Sequence, residues 1–315
     1  MEKAVFGWLK KSVPGVIGME LSPFGTAVAY LSDQQQDGLT VADCQYFEGA
    51  LDRCGDELGQ WLQERHLDQV GVQIVLHPAM YRLYFIDRPD VEDEVLSEAV
   101  RWKIKDLVDE PLKDLVIDAF ALPDDAYRGK QKKVYVVAIG REVLEEQVAL
   151  LRRLPLKILG ISISELADRS LLNHLHVDPG GAALLRLRSS TGTLNLIDSG
   201  ALYLTRNIDT GVSVLETTRE DNRNEVLDEL LLEVQRCVDF YDSQLGKGTI
   251  RKMLVAPTRL DRAFFDDHLR NHLGMNVQAL DLNEAFAFPE PLSGDYQSLC
   301  FAAVAAATEG KGLAA

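Results

Sequence analysis

The chain has 315 residues, 46% hydrophobic and 26% charged, which is about two ordinary domain-lengths of globular protein. Its formal charge of −16, from 49 acidic and 33 basic side chains, repels nucleic acid and anionic lipid and excludes nucleic acid as an expected partner. No apolar run reaches the roughly 18 residues that span a membrane, and no secretory signal opens the chain, so the expected compartment is the cytoplasm.

Residues 1–15 form a leader in which Lys3, Lys10 and Lys11 lie beside Val5, Phe6, Trp8 and Leu9. It reads either as a weak membrane-surface contact through residues 1–12 or as a frayed terminus. The stretch VIGMELSPFGTAVAYL at 16–31 then reads as strand, small-residue turn, strand, with Leu39–Phe47 as a third strand. Leu51, Leu58, Trp61 and Leu62 follow at helical spacing, and Val70–Leu76 is a β-branched run closed by His77-Pro78. This β-β-β-α-β order is the half-domain of the ribonuclease-H-like class to which actin and hexokinase belong.

The segment 81–159 has another texture: strands at Arg82–Ile86, Val116–Leu122 and Lys133–Ile139, and helices at Val91–Val108 and Glu142–Arg153. The first of these helices is expected to bury Val91, Val95, Ala99 and Trp102 on one stripe. Its acidic start, Asp87, Asp90, Glu92, Asp93, Glu94 and Glu98, either meets a basic partner or complements the helix dipole. A strand and the helix Ser164–Leu175 return to the core, and Asp178-Pro179-Gly180-Gly181 separates the halves.

The second half opens with ALLRLRSSTGTLNLID at 183–198, which shares Ser-x-x-Gly-Thr with the first hairpin. A strand at Leu202–Ile208 follows, then a long helix with Leu227, Leu230, Val234, Val238, Tyr241 and Leu245 on one face, stopped by Gly246. Strands at Lys252–Val255 and Asn276–Leu280, a helix at Leu260–Leu273 and an Ala-rich helix at Ser298–Thr308 complete an α/β, actin-like fold of two lobes. The first lobe takes 16–80 and 160–180, the insert 81–159, the second lobe 181–295, and the final helix, 296–315, packs back on the first.

Two facing hairpin turns of small residues can cradle phosphates through backbone N–H groups. The residues so placed are Ser22, Gly25 and Thr26 in the first turn and Ser189, Ser190, Gly192 and Thr193 in the second. Catalysis also needs a carboxylate beside each turn to hold magnesium and orient water. Glu20 qualifies; the second strand offers Arg186 or Leu187, according to a register the sequence leaves open. Arg186 either binds a phosphate by its guanidinium fork or belongs, with Arg188, to a solvent-facing stripe. Where an adenosine pocket of this class needs a Gly pair, the strand runs into Ala256-Pro257, which narrows or blocks the seat.

Other motifs carry less. His268 and His272 have metal-pair spacing without a third ligand, and His174 and His176 stand near a turn. Gly246-Lys247-Gly248-Thr249 lacks the leading Gly of a P-loop and reads as a surface turn. Cys44, Cys54, Cys237 and Cys300 are scattered and are expected as buried, reduced thiols.

The stretch FIDRPDVEDEVLSEAVRWKIKDLVDEPLKDLVIDAF at 85–120, continued by YVVAIGREVLEEQVALLRRLPLKILGISISELADRSLL, resembles the PilM family of actin-like type IV pilus assembly proteins. The leader and the GVIGMEL hairpin are most similar to its MshI branch, from mannose-sensitive haemagglutinin (MSHA) pilus biogenesis. The resemblance implies an actin-like body at the inner membrane that binds the cytoplasmic tail of a PilN-like inner-membrane protein near the insert, alongside other platform or motor components. In it Glu20 matches the first motif's acid and Thr193 the second motif's Thr, while Arg186 or Leu187, and Ala256-Pro257, depart from the nucleotide pattern. The expected function is therefore a non-catalytic assembly platform without cofactor. The alternatives are an active ATPase or small-molecule kinase using ATP and magnesium, and the cytoplasmic module of a type II secretion system.

Overall fold

The structure, a computed structural model, describes residues 15–32, 39–126, 132–176, 180–246, 248–260 and 262–314. The leader at 1–14, Asp178, Pro179 and Lys247 lie outside the described residues, and with the leader its membrane reading. The first lobe starts with β1 (Gly15–Leu21), β2 (Gly25–Ser32), β3 (Thr40–Glu48), α1 (Leu51–Glu64) and β4 (Gly71–Leu76). The insert holds β5 (Arg82–Asp87), α2 (Leu96–Lys103), β6 (Leu115–Ala121), β7 (Lys133–Gly140) and α3 (Arg141–Leu151). The chain then returns through β8 (Lys157–Ile163) and α4 (Ser164–His174). The second lobe comprises β9 (Ala182–Leu187), β10 (Gly192–Asp198), β11 (Ala201–Ile208), α5 (Val212–Thr217), α6 (Glu220–Phe240), β12 (Lys252–Val255), α7 (Arg262–His272), β13 (Asn276–Ala279) and α8 (Leu282–Ala285), and the chain closes with α9 (Gly294–Ala314).

The two five-stranded sheets have one topology, β3-β2-β1-β4-β8 and β11-β10-β9-β12-β13, each with an antiparallel meander running into parallel strands. In both, the first strand of the lobe is central. β1 pairs antiparallel with β2 and parallel with β4, so Glu20 lies between Ala27 and Val75; in the second sheet Arg186 pairs with Thr193. Strands covered on both faces need near-continuous apolar sequence rather than alternation, as GTAVAYLS and AALLRL supply.

Between the sheets lies a layer made by α4 and α9. Ala167, Leu171 and Leu172 of α4 share an apolar cluster with Cys300–Ala307 of α9 and with strands of both lobes. α9 runs across β1, β2 and β4. Its alanines allow this approach, and the approach requires glycine at Gly18, since a Cβ there would stand 1.9 Å from the Ala303 carbonyl oxygen. Cys44 of β3 and Cys300 of α9 form a disulfide with Cα atoms 6.6 Å apart, where separate thiols are expected from sequence. A sequence separation of 256 residues conceals that the fold lays α9 along this sheet. Cys54 and Cys237 are free and buried.

The insert is a three-stranded sheet, β5-β7-β6, with α2 on one face. Here the expected stripe is wrong. α2 starts only at Leu96, after a short 3-10 turn at Asp93–Val95, and it buries Leu96, Val100 and Ile104 against β6 and β7. Val95 and Trp102 face solvent, because Leu96, Val100 and Ile104 supply a bulkier i, i+4, i+8 set. The other face of the insert reaches the second lobe: Tyr135, stacked on Phe120 and packed at a tilt against Phe85, accepts the Thr205 N–H at 3.0 Å, and Tyr203 donates to Asp125 at 2.8 Å. In α6 the expected face is buried throughout, and the chain passes through a π-turn at Tyr241–Leu245 to Gly246 at φ 64°.

Candidate functional site

The two turns follow β1 and β9, the strands that Arg186 joins through Glu20, and the donors of the first turn are already used. In the first, Pro23 has no N–H, and the N–H groups of Phe24 and Gly25 donate to Ser22 Oγ at 3.0 and 3.1 Å. A Cβ at Gly25 would meet the Tyr46 ring and hydroxyl, so that side chain would have to shift; Thr26 is buried. In the second turn the carbonyls of Arg188 and Ser189 accept the N–H groups of Val212 and Ser213, both at 2.8 Å, and so cap α5. Gly211 allows that contact, since a Cβ there would stand 2.4 Å from the Ser190 carbonyl carbon. Ser189 and Ser190 are exposed, and Gly192 and Thr193 are buried in β10.

Arg186 occupies the space between the turns. It is 5% exposed, with Nη2 3.5 Å from Glu20 Oε1 and Nη1 3.6 Å from Asp168 Oδ1, and its guanidinium lies over Phe301 at 5.0 Å. A single cation thus joins β1, α4, β9 and α9. The solvent-facing stripe is overturned: β9 is central in its sheet, and Leu185, Arg186 and Leu187 are all buried. The register that sequence leaves open is decided for Arg186. Arg188, two residues on, donates to Thr193 Oγ1 at 3.1 Å and to Ser164 Oγ at 3.2 Å.

The rest of this network comes largely from α4. Asn195 donates to Asp168 Oδ2 at 3.0 Å, and Tyr81 to Glu165 at 2.5 Å. Burial pushes the Asp168 carboxyl up to about 6, against the pull of Arg186 and Arg188. Burial, then the positive charges of Arg188 and Arg186, holds His77 down at about 3, so it is neutral at physiological pH. Its Nδ1 accepts the Ala79 N–H at 3.1 Å, and Phe24, at the tip of the first turn, meets its ring edge-on. Ala256 and Pro257 are buried in the core after β12, where the Ala256 N–H extends the ladder to the Leu185 carbonyl at 2.9 Å.

A separate apolar groove of about 230 Å³ opens between the insert and the first lobe, lined by Val116, Phe120, Leu144, Ile161, Ile163 and Leu166. Its two sides end in the edge strands β6 and β8. Asp118 stands at its rim, accepting from Ser97 Oγ at 2.7 Å.

No protein-family model matches the sequence, and no curated protein matches it. Among solved structures, the chain is similar to one described as the PilM–PilN type IV pilus biogenesis complex, at a TM-score of 0.72 and 18% identity over 95% of this chain and 99% of the other. It is also similar to the cytoplasmic domain of EpsL, an inner-membrane component of the type II secretion system of Vibrio cholerae, at 0.51 and 13% over 92% and 94%. A third is a Bacteroides thetaiotaomicron protein with an actin-like ATPase fold and unknown function, at 0.50 and 11% over 94% and 99%. The fold is actin-like. In the actin-like frame, Arg186 stands on the second lobe's first strand, opposite Glu20 on the first lobe's.

Reading the sequence picks out Glu20, Arg186 and the turns, and misses Asp168, Glu165, Ser164, Asn195 and Tyr81. One signal for the α4 residues is present: Asp168 interrupts the apolar positions Ala167, Leu171 and Leu172, and Ser164 stands one turn before it. The histidine pairs are spent locally, His268 on Asp228 at 2.9 Å and His174 stacked on Phe286. No group of three or more His, Cys, Asp or Glu able to hold a metal occurs among the described residues, and no described helix is long and apolar enough to cross a membrane.

Proposed function

We propose that this protein is a non-catalytic assembly-platform protein of type IV pilus biogenesis, cytoplasmic and held at the inner membrane by a PilN-like protein whose tail it binds. The observation that carries the non-catalytic part is Arg186 between Glu20 and Asp168. A magnesium-bound triphosphate fits these residues poorly: a guanidinium takes the place of the second acid, Glu20 is engaged by it, the first turn's N–H groups are directed at Ser22, and the buried Ala256-Pro257 stands where the class needs a Gly pair. The pilus part is supported by the likeness over nearly the whole chain to a structure of PilM with PilN. The leader and GVIGMEL hairpin favour an MSHA-type pilus.

The groove between β6 and β8 suits the tail. Two edge strands offer unpaired backbone groups, the floor is apolar and Asp118 marks the rim, so an extended, apolar, basic-flanked peptide is the complementary occupant. Calorimetric titration of the full chain with a synthetic PilN-like tail should show binding without nucleotide, reduced by Ile161→Asp; strict dependence on ATP would sink the proposal. Titration with ATP and magnesium addresses the ATPase alternative. Affinity tighter than about 100 μM, worth roughly 5.5 kcal/mol, with phosphate release abolished by Glu20→Ala, would overturn the non-catalytic reading. The likeness to EpsL favours, as a second reading, a cytoplasmic module of a type II secretion system; preference for an EpsL-type system's partner tails over PilN-like tails would select it.

A further inference from the structure

The insert presents an apolar face with nothing packed on it among the described residues. Trp102 is 74% exposed, Val95 46% and Leu107 54%, and Val95, Ala99 and Trp102 follow one another along the outer side of α2, opposite the buried Leu96, Val100 and Ile104. The surround is acidic: residues 87–118 hold eleven Asp or Glu against five Lys or Arg. Several charges are already engaged, Asp93 by Arg88, Asp87 by Lys133, and the cations Arg101 and Lys103 by the carbonyls of Leu112 and Asp87. Glu94 and Glu98, beside Val95 and Trp102, have no ion-pair partner among the described residues. Helix-dipole complementarity accounts for acid at this end of α2, but not for a Trp left in solvent beside it.

We propose that this face docks residues 1–14 of this chain. Residues 3–11, Lys-Ala-Val-Phe-Gly-Trp-Leu-Lys-Lys, carry three lysines, five apolar side chains and no acid, in a protein of net charge −16. They match the face in both respects: lysines for Glu94 and Glu98, and aromatic and aliphatic groups for Val95 and Trp102. An exposed Trp ringed by charge is the anchor type on which interface energy concentrates. Docked from a second copy, the leader makes a heterologous contact that propagates a ring or filament; docked from its own chain, it occupies the face until a competitor arrives.

The test uses the full chain carrying Lys10→Glu and Lys11→Glu, whose own leader has lost its complementary charge, titrated with a dye-labelled synthetic peptide of residues 1–14 and read by fluorescence anisotropy. Saturable binding is expected, weakened about tenfold or more by Trp102→Ala, a change that leaves thermal stability unaltered because the side chain is exposed. Glu94→Lys with Glu98→Lys, made in the chain with its native leader so that its own lysines do not compete for the altered face, should weaken it similarly, and a peptide carrying Lys10→Glu and Lys11→Glu should recover binding to that variant. Absence of saturable binding, or binding indifferent to Trp102 and to the charge exchange, overturns the proposal. So does a peptide that partitions onto phosphatidylglycerol vesicles but ignores the protein, which assigns the leader to the membrane.

Discussion

Arg186 is the residue on which the two lobes meet. Its contacts with Glu20 and Asp168 are buried, and a buried pair contributes less by its own attraction than it costs to break, because the carboxylates left behind pair with no other cation among the described residues. Arg186→Ala should therefore lower stability by about 3–5 kcal/mol, measured by urea denaturation, and adding Glu20→Gln and Asp168→Asn should restore much of it. Asp168 also makes the clasp pH-dependent. Its carboxyl is raised to about 6, so in the folded chain it holds a proton that the unfolded chain has released. That contribution is complete below the ordinary value of 3.8 and is lost as pH climbs through about 6. Arg186, Arg188, Glu165 and Glu20 are the charges that act on it. Relative to Asp168→Asn, the wild type should lose roughly 2–3 kcal/mol between pH 4 and pH 7, and parallel curves for the two would refute this.

Helix α9 and strand β1 act as one element. Gly18 places the β1 backbone against Ala303 and Ala307, so Gly18→Val must push the helix off the sheet, at a cost of about 3 kcal/mol or more. A fall in melting temperature with slower recovery of native near-ultraviolet dichroism would show it. In α2 two apolar stripes compete. Val95, Ala99 and Trp102 share one side and Leu96, Val100 and Ile104 the other, and the second set packs on the sheet. Leu96→Ala should cost about 2–5 kcal/mol, whereas Val95→Ala should stay within about 0.5 kcal/mol; equal costs would return the helix to the other face.

At the scale of the molecule, the described residues join the lobes through the Arg186 clasp, the α4–α9 layer, the insert's Tyr135 and Asp125 against β11, and the Val41 N–H on the Ala287 carbonyl at 3.0 Å. A nucleotide-driven hinge needs these to slide, and a packed apolar layer with buried hydrogen bonds resists that. Tyr135→Phe leaves the Thr205 N–H buried without its acceptor, an expected cost of about 1–3 kcal/mol. Hydrogen exchange at the Thr205 amide should rise first; unchanged protection there would mean that the insert is held by its rings alone.

Periodicity in the sequence determines the element order, the paired hairpins, the buried face of α6 and the absence of an acid from the second hairpin, because each depends only on neighbours along the chain. The same local rule failed at α2, where the sequence offers two apolar stripes and packing on the sheet selects Leu96, Val100 and Ile104. What only the tertiary structure decided is where distant residues meet: Arg186 rather than Leu187 toward Glu20, Asp168 of α4 as the second acid, Cys44 beside Cys300, and Tyr135 reaching the second lobe. These pairings lie between about 20 and 260 residues apart. A buried charge or thiol takes its meaning from what packs against it, and no sequence period records that.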